Sequence, residues 1–330
     1  MKILTVQHSG DTWSGGFQTY RRNYEILKKL TDDALTSNAD SRPYDFVIWP
    51  ETALVPGIDW HTRYDTDSQS KELVRQFLEW AKTVPGTFIT GNSESVIGDP
   101  SLPPVVYDSA GIGRLNRRSY NAAVVLKNGR VEGVYRKRHL VPIVEDFPLK
   151  ESFPAAVRFL EAHGCQLWDR GEGSVLFKSA GGVPFAVNIC YEDVFSDISR
   201  EDVRNGARLL INLTNDLWAE SDAAQRQHAA IAVFRSIETG LPTIRATNSG
   251  TTAVILPNGR IQASLPPFLK TTLTADVPLF RPSKTVNAFV LRNGFAPALA
   301  AAVIIAAAYR MKRAAVFRKS SNRGKLAKKK

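Results

Sequence analysis

Three side chains in this sequence stand where acyl chemistry could be done. Cys190 closes the apolar run Pro184-Phe-Ala-Val-Asn-Ile and is followed at once by Tyr191, Glu192 and Asp193. Pro184 to Ile189 reads as a short buried strand, so a rigid element carries the thiol to a sheet edge, where a thiolate could attack a carbonyl carbon. On this stretch alone there is a competing reading, because free cysteine is among the most buried residue types and serves as inert bulk. Glu51 lies just past a second such run, Tyr44-Asp-Phe-Val-Ile-Trp49, where a carboxylate is also common as a solvated loop acid. Lys137 sits in Arg136-Lys137-Arg138-His139-Leu-Val-Pro142-Ile-Val-Glu145. Three cations and a histidine ahead of an apolar pair and a proline are an unusual order for a surface loop, with a solvated charge run as the alternative. His228, on a helical stretch, reads first as a structural histidine.

The elements that must position these groups alternate. Lys2 to Gln7 is a strand that begins at Met1, with no charged n-region, apolar h-region or cleavage site before it, so no signal peptide is expected. Phe17 to Leu35 places Tyr20, Tyr24, Leu27 and Leu30 at helical spacing, and Ser68 to Thr83 is a second helix. Gly86 to Asn92 is a short strand, Glu94 to Arg118 a long Gly-, Pro- and Ser-rich insertion, and Tyr120–Leu126 with Val131–Tyr135 a hairpin around an Asn-Gly turn. Beyond Cys190 come a helix from Ser196 to Asn205, a strand from Ala207 to Thr214, a helix from Gln225 to a capping Gly240, and strands at Leu241–Asn248 and Thr251–Leu256. The order predicts two mixed sheets covered by helices.

Composition narrows the function. The 330 residues carry a net charge of +11, but ten Lys and Arg and no acid fall between Arg310 and Lys330, so the body is near +1. A basic terminus on a neutral body points to anionic lipid headgroups rather than to nucleic acid. Two cysteines, Cys165 and Cys190, cannot build a disulfide framework. No Gly-x-Gly-x-x-Gly follows the first strand, no Walker motif is present, and the five histidines have no zinc spacing. Candidate chemistry reduces to Glu, Lys and Cys.

Trp49-Pro-Glu51-Thr-Ala53, Tyr135-Arg-Lys137-Arg-His-Leu-Val-Pro142 and Asn188-Ile-Cys190-Tyr-Glu192, in that order, resemble the Glu-Lys-Cys triad of the nitrilase (carbon-nitrogen hydrolase) superfamily. Glu145 behind the His-Leu-Val-Pro stretch, Asn212-Leu-Thr-Asn-Asp216 with Trp218, Gln227-His228 and Arg245-Ala-Thr-Asn-Ser-Gly250 resemble its apolipoprotein N-acyltransferase branch. The likeness covers roughly residues 1 to 265. Ile143-Val144-Glu145 stands where that branch usually has Phe-Gly-Glu, and Ala219-Glu220 where Phe-Gly is typical, so the departures fall on substrate-facing loops.

The resemblance implies an αββα sandwich and an acyltransferase that needs no metal and no organic cofactor. A thiol titrates near about 8.5 and needs a base or a cation to react at neutral pH. Glu51 is implied as that base. Lys137 is implied as the cation that favours the thiolate and, with the Tyr191 backbone N–H, stabilises the oxyanion. Glu145 is a supporting acid, and Glu192 a further candidate for the same place. The implied reaction passes a fatty acyl group from a phospholipid through a Cys190 thioester to the N-terminal amine of a diacylglyceryl-cysteine lipoprotein. The alternative is a nitrilase-type amidase that hydrolyses a small carbon-nitrogen substrate.

Phe295 to Tyr309 holds no charge over 15 residues, about 22 Å of helix, and extending it back toward Ala288 reaches spanning length. We therefore expect a catalytic domain at 1–285, a transmembrane helix at 286–309 and a basic cytoplasmic tail at 310–330. The catalytic domain then lies on the periplasmic, external face of a bacterial inner membrane. Because nothing ahead of Lys2 starts export, further membrane helices are expected, either preceding the chain or on a separate subunit.

Overall fold

A computed structural model describes residues 1–280, apart from 13, 39, 108, 110, 148–151, 164 and 166, together with 300–305. In chain order, β1 (Lys2–Gln7), α1 (Gly16–Thr36) and β2 (Phe46–Ile48) precede the short α2 (Ile58–Arg63), α3 (Ser68–Ala81) and β3 (Thr87–Ile97). A small hairpin of β4 (Val105–Tyr107) and β5 (Gly113–Leu115) separates β3 from β6 (Arg117–Lys127), which turns into β7 (Arg130–Arg136). That turn places Asn128 at φ 49° and Gly129 at φ 71°, the left-handed pair that an Asn-Gly hairpin supplies at low cost. After α4 (Pro154–Ala162) come β8 (Leu176–Lys178), β9 (Pro184–Ile189), α5 (Ser196–Arg204) and β10 (Leu209–Thr214). The chain ends this unit with α6 (Asp222–Thr239), β11 (Thr243–Thr247), β12 (Thr252–Ile255), β13 (Ile261–Leu265) and β14 (Thr271–Asp276).

Two six-stranded mixed sheets result, ordered β14-β1-β2-β3-β6-β7 and β13-β12-β11-β10-β9-β8. Both faces of the central strands are apolar, as strands covered on both sides require. Ile3, Phe46, Ile48, Ile89 and Val125 of the first sheet face Phe185, Val187, Ile189, Ile211 and Ile244 of the second, and the Phe46 ring meets Phe185 edge-on at 5.1 Å. The alternate residues Leu4, Val47, Trp49 and Phe88 turn outward against Tyr24 and Leu27 of α1 and Leu73, Phe77 and Trp80 of α3. On the other side, Ala186 and Leu210 pack against Val203, while Ala253 and Ile255 pack against Ala232 of α6. The layers are helix, sheet, sheet, helix. Each such buried aliphatic or aromatic side chain contributes about 1.5–3 kcal/mol, so the inter-sheet layer holds the strand ends in fixed relation.

Several elements differ from expectation. β3 and β6 each run 11 residues and pair from Phe88↔Leu126 out to Ile97↔Arg117, so both ends of the expected insertion are strand. Long-range pairing extends the strands into the segment that local sequence marks as a loop. β14 was not foreseen; it is a half-exposed edge strand that pairs antiparallel with β1 along all six residues. The expected transmembrane helix at 286–309 and the basic tail lie outside the described residues except for 300–305, which are helical. Among the described residues no helix is long and apolar enough to cross a membrane.

Candidate active site

The strand ends bring the expected groups together. Lys137 follows the last residue of β7 directly, and its N–H donates to the Asn121 carbonyl of β6 at 2.8 Å, which continues the ladder one step and fixes the start of its side chain. Lys137 is 1 % exposed. Its Nζ lies 2.8 Å from Glu145 and 3.6 Å from Glu51.

Glu51 is held in a tight loop after β2. Asn121 Nδ2 donates to its Oε1 at 2.7 Å, and the Asn215 backbone N–H, just past β10 in the other sheet, donates to its Oε2 at 2.7 Å. The same Asn121 Nδ2 lies 3.3 Å from Glu145 Oε1, whose partner oxygen accepts the Val141 N–H at 2.8 Å. The loop depends on Gly91. Its carbonyl accepts from Leu54 N–H at 3.1 Å and its N–H donates to Pro50 O at 3.0 Å. A β-carbon at position 91 would fall 2.3 Å from Thr52 N and 2.6 Å from Glu51 Cα. We expect Gly91→Ala to displace Glu51 and to destabilise the fold by about 1–3 kcal/mol. Thermal melts check this, and a near-wild-type melting temperature would show that the loop tolerates a shift.

Cys190 stands at the end of β9 with φ 50°, where the strand breaks into a 3-10 turn over Cys190–Val194. A non-glycine residue in that left-handed region stores about 1–3 kcal/mol and recurs at sites that present a nucleophile. Its carbonyl accepts from Asn212 Nδ2 at 3.3 Å, which ties the turn to β10. The thiol is buried at 7 % exposure. Burial first, and then the Glu51 carboxylate, push its pKa well up, while the Lys137 ammonium pulls the other way. Burial likewise raises Glu51, with Glu145 adding to the rise and Lys137, Asn121 and Asn215 opposing it. Burial works against the charge on Lys137, but Glu51, Cys190 and Glu145 outweigh it and hold the ammonium above its ordinary value. The resting site is thus a thiol, a permanent cation and a carboxylate with raised proton affinity, which suits transfer of the thiol proton to Glu51 as the sulfur attacks.

Tyr191 is half-buried and packs its ring edge-on against Phe195 at 5.0 Å. Glu192 takes a different place from the one expected. It is 0 % exposed and accepts from Tyr135 Oη at 2.9 Å, from Arg138 N–H at 2.7 Å, from His139 N–H at 3.1 Å and from Ile189 N–H at 2.8 Å. It therefore bonds the residues just after Lys137 to the one just before Cys190, and joins two strand ends rather than standing beside Glu145. Asn121 and the main chain of Asn215 were not anticipated. Asn121 lies inside a hairpin strand whose pattern showed only β periodicity, and a backbone N–H leaves no mark in composition. Around the site, Ile143 and Val144 on the Glu145 turn are 58 % and 52 % exposed, and Trp218 on the loop after β10 is 79 % exposed.

The sequence profile of the family described as Carbon-nitrogen hydrolase matches residues 21–282. The chain is 39% identical over 296 residues to "Apolipoprotein N-acyltransferase 1" of Treponema denticola, covering 88% of this chain and 53% of that protein. It is 29% identical to "Apolipoprotein N-acyltransferase" of Geobacter metallireducens, covering 94% of this chain and 54% of that one. The chain thus spans about half the length of the curated relatives it matches. Among solved structures, a mutant amidase from Nesterenkonia sp. AN1, showing covalent addition of the acetamide moiety of fluoroacetamide at its active site cysteine, aligns with TM-score 0.57. That alignment covers 90% of this chain and 94% of the amidase at 15% identity, a likeness of fold alone.

Proposed function

The chain belongs to the carbon-nitrogen hydrolase family, and from that premise we propose that it is an acyltransferase of the apolipoprotein N-acyltransferase kind, with Glu51, Lys137 and Cys190 as its catalytic residues. The observation that carries this reading is the placement of a buried Lys137 ammonium 2.8 Å from Glu145 and 3.6 Å from Glu51, within electrostatic reach of the Cys190 thiol. The similarity to proteins named apolipoprotein N-acyltransferase supports the acceptor class.

In the first half-reaction Glu51 takes the thiol proton as Cys190 Sγ forms a bond to the ester carbonyl of a phospholipid. The oxyanion is stabilised by Lys137 and the Tyr191 N–H. Collapse breaks the ester C–O bond, the lysolipid oxygen takes the proton from Glu51, and a thioester remains. In the second half-reaction the α-amine of a diacylglyceryl-cysteine lipoprotein attacks the thioester and loses its proton to Glu51. The thiolate leaves and is reprotonated. Glu145 orients Lys137, and Glu192 holds the two strand ends in register. The exposed Ile143, Val144 and Trp218 suit a donor that is presented from a lipid surface.

This reading puts the enzyme at a bacterial membrane, with a catalytic domain at 1–285 on the external face, a membrane helix at 286–309 and a basic tail at 310–330 on the cytoplasmic side. Further membrane helices, on the same or another chain, would complete the setting. The test is intact-mass analysis of the full chain after incubation with phospholipid vesicles, followed by addition of a diacylglyceryl-cysteine peptide. A fatty acyl adduct on Cys190 that discharges onto the peptide amine is expected. Hydrolysis of small amides with no adduct from phospholipid would favour the amidase reading instead.

A further inference from the structure

Behind Cys190 lies a buried ionic network that the reaction described above does not use. Asp193, on the same 3-10 turn as Cys190, accepts from Arg245 of β11 through one oxygen and meets His228 Nε2 with the other at 2.9 Å. Asp216, next to the Asn215 that anchors Glu51, meets His228 Nδ1 at 2.8 Å and accepts from Arg245 Nη2 at 3.0 Å. Arg245 Nη1 also donates to Asn212 Oδ1 at 3.0 Å, and Asn212 Nδ2 donates to the Cys190 carbonyl. Arg245 and Asp193 are 0 % and 1 % exposed and Asp216 is 2 % exposed, so none of these charges is well solvated. The packing leaves no slack: a β-carbon at Gly250 would lie 2.2 Å from Asp216 Oδ2.

Each ring nitrogen of His228 faces a carboxylate oxygen within 3 Å, and Nδ1 also lies 3.1 Å from Arg245 Nη2. A carboxylate cannot donate unless protonated, so the two carboxylates favour the doubly protonated ring over the neutral tautomer whose Nδ1 would accept from Arg245. Two cations and two anions then balance. Neutral imidazole would leave one buried carboxylate facing a lone pair.

We propose that His228 is a positioning residue whose charge and two hydrogen bonds lock the Cys190 turn to the loop that anchors Glu51, and thereby set the reactivity of the thiol. This rests on the reading of Cys190 as the nucleophile. The charges that face the network are Asp193 from the Cys190 turn, Asp216 from the loop after β10 and Arg245 from β11. Arg235 of α6 itself acts on Asp193 and is in turn influenced by Glu238, Asp197 and Arg200. Asp216 and Arg245 both act on Cys190 by charge. Burial and Arg245 oppose protonation of His228, and Asp193 and Asp216 overcome them, so its pKa is raised to about 9. Since this lies above the unfolded value near 6.5, the stabilising contribution is complete below about 6.5 and is lost as pH rises through about 9.

The test is the pH dependence of Cys190 alkylation by iodoacetamide in the full chain, followed by peptide mass so that Cys165 is scored separately. In His228→Gln one positive charge is lost beside two carboxylates. Below about pH 9, where His228 is charged, Cys190 alkylation in the variant should be about tenfold slower, and the two profiles should converge above it. The double variant His228→Gln with Asp216→Asn, which restores the balance, should bring the rate at neutral pH back toward wild type. A histidine that only supported the fold would lower the melting temperature and leave that rate in place. An unchanged neutral-pH rate in folded His228→Gln, or no recovery in the double variant, overturns the proposal. If His228→Gln does not fold, the nitrogen shifts of His228 in the wild-type protein decide: both nitrogens protonated at pH 7 supports it, and a neutral ring overturns it. A wild-type Cys190 that never alkylates would sink the reading of the nucleophile itself, whereas a reactive wild type with an insensitive variant would sink the role of His228 alone.

Discussion

Cys190→Ser should lose acyl transfer by about 1,000-fold or more while folding as the wild type does. The loss follows from the proton. Burial already holds the thiol well above its ordinary pKa, and Glu51, although burial raises its proton affinity, is still only a carboxylate base. An alcohol holds its proton far more tightly still, so the transfer that accompanies attack becomes uphill and the thioester cannot form. The fold should be kept because serine is smaller than cysteine and meets the left-handed backbone at φ 50° no worse, so the cost is about 1 kcal/mol for a few lost apolar contacts. Intact mass should show no acyl adduct, and thermal melts should nearly superimpose. Residual transfer within about tenfold of wild type would mean that Cys190 never carries the acyl group.

Much of this site can be read in the sequence because strand ends announce themselves. The apolar runs that end at Trp49 and Ile189, and the hairpin that ends at Tyr135, each hand over to a polar residue at the boundary where β periodicity stops. Glu51, Lys137 and Cys190 sit at those boundaries, so a reading of strands is also a reading of candidates. What the pattern does not carry is the support. Asn121 lies inside β6, where its neighbours argue only for a strand, yet its amide bonds Glu51 and reaches Glu145. The N–H of Asn215 meets Glu51 only because the two sheets pack face to face, a relation set by inter-sheet contacts and not by local sequence. Glu192 shows the same limit. Its spacing from Cys190 placed it near the site, but only the three-dimensional return of the Arg138–His139 backbone turns it into an acceptor that links two strands. His228 and Arg245 were visible as motif residues without a role, because the role lies in the charge balance of four side chains drawn from four elements.

Lys137→Met should cost about 100- to 1,000-fold in rate and leave a stability deficit whose sign with pH can be foretold. The rate loss has two sources: the oxyanion loses its cation, and the thiolate loses the only one of its charged neighbours at the Glu51–Glu145 cluster that favours it. The stability loss comes from the carboxylates. Glu51 and Glu145 share a cation that is 1 % exposed, and removing it leaves them buried without a counter-charge, a change that costs about 3–5 kcal/mol for a broken buried pair. Glu51 already has a raised pKa in the intact site, and loss of the ammonium that opposes the rise will raise it further. A carboxyl whose folded pKa exceeds its unfolded value near about 4.3 destabilises only above that unfolded value, where the unfolded chain releases the proton that the folded one retains. The deficit of the Lys137→Met variant should therefore be largest near pH 7 and shrink as the pH falls toward about 4. The combined variant Lys137→Met with Glu51→Gln separates the two effects. Removing one carboxylate should return part of the lost melting temperature at pH 7, because the amide oxygen can accept from only one of the Asn121 and Asn215 donors, but it should return none of the rate. A deficit that does not vary with pH, or a combined variant that regains activity, would mean that Lys137 packs against these carboxylates without holding their charge.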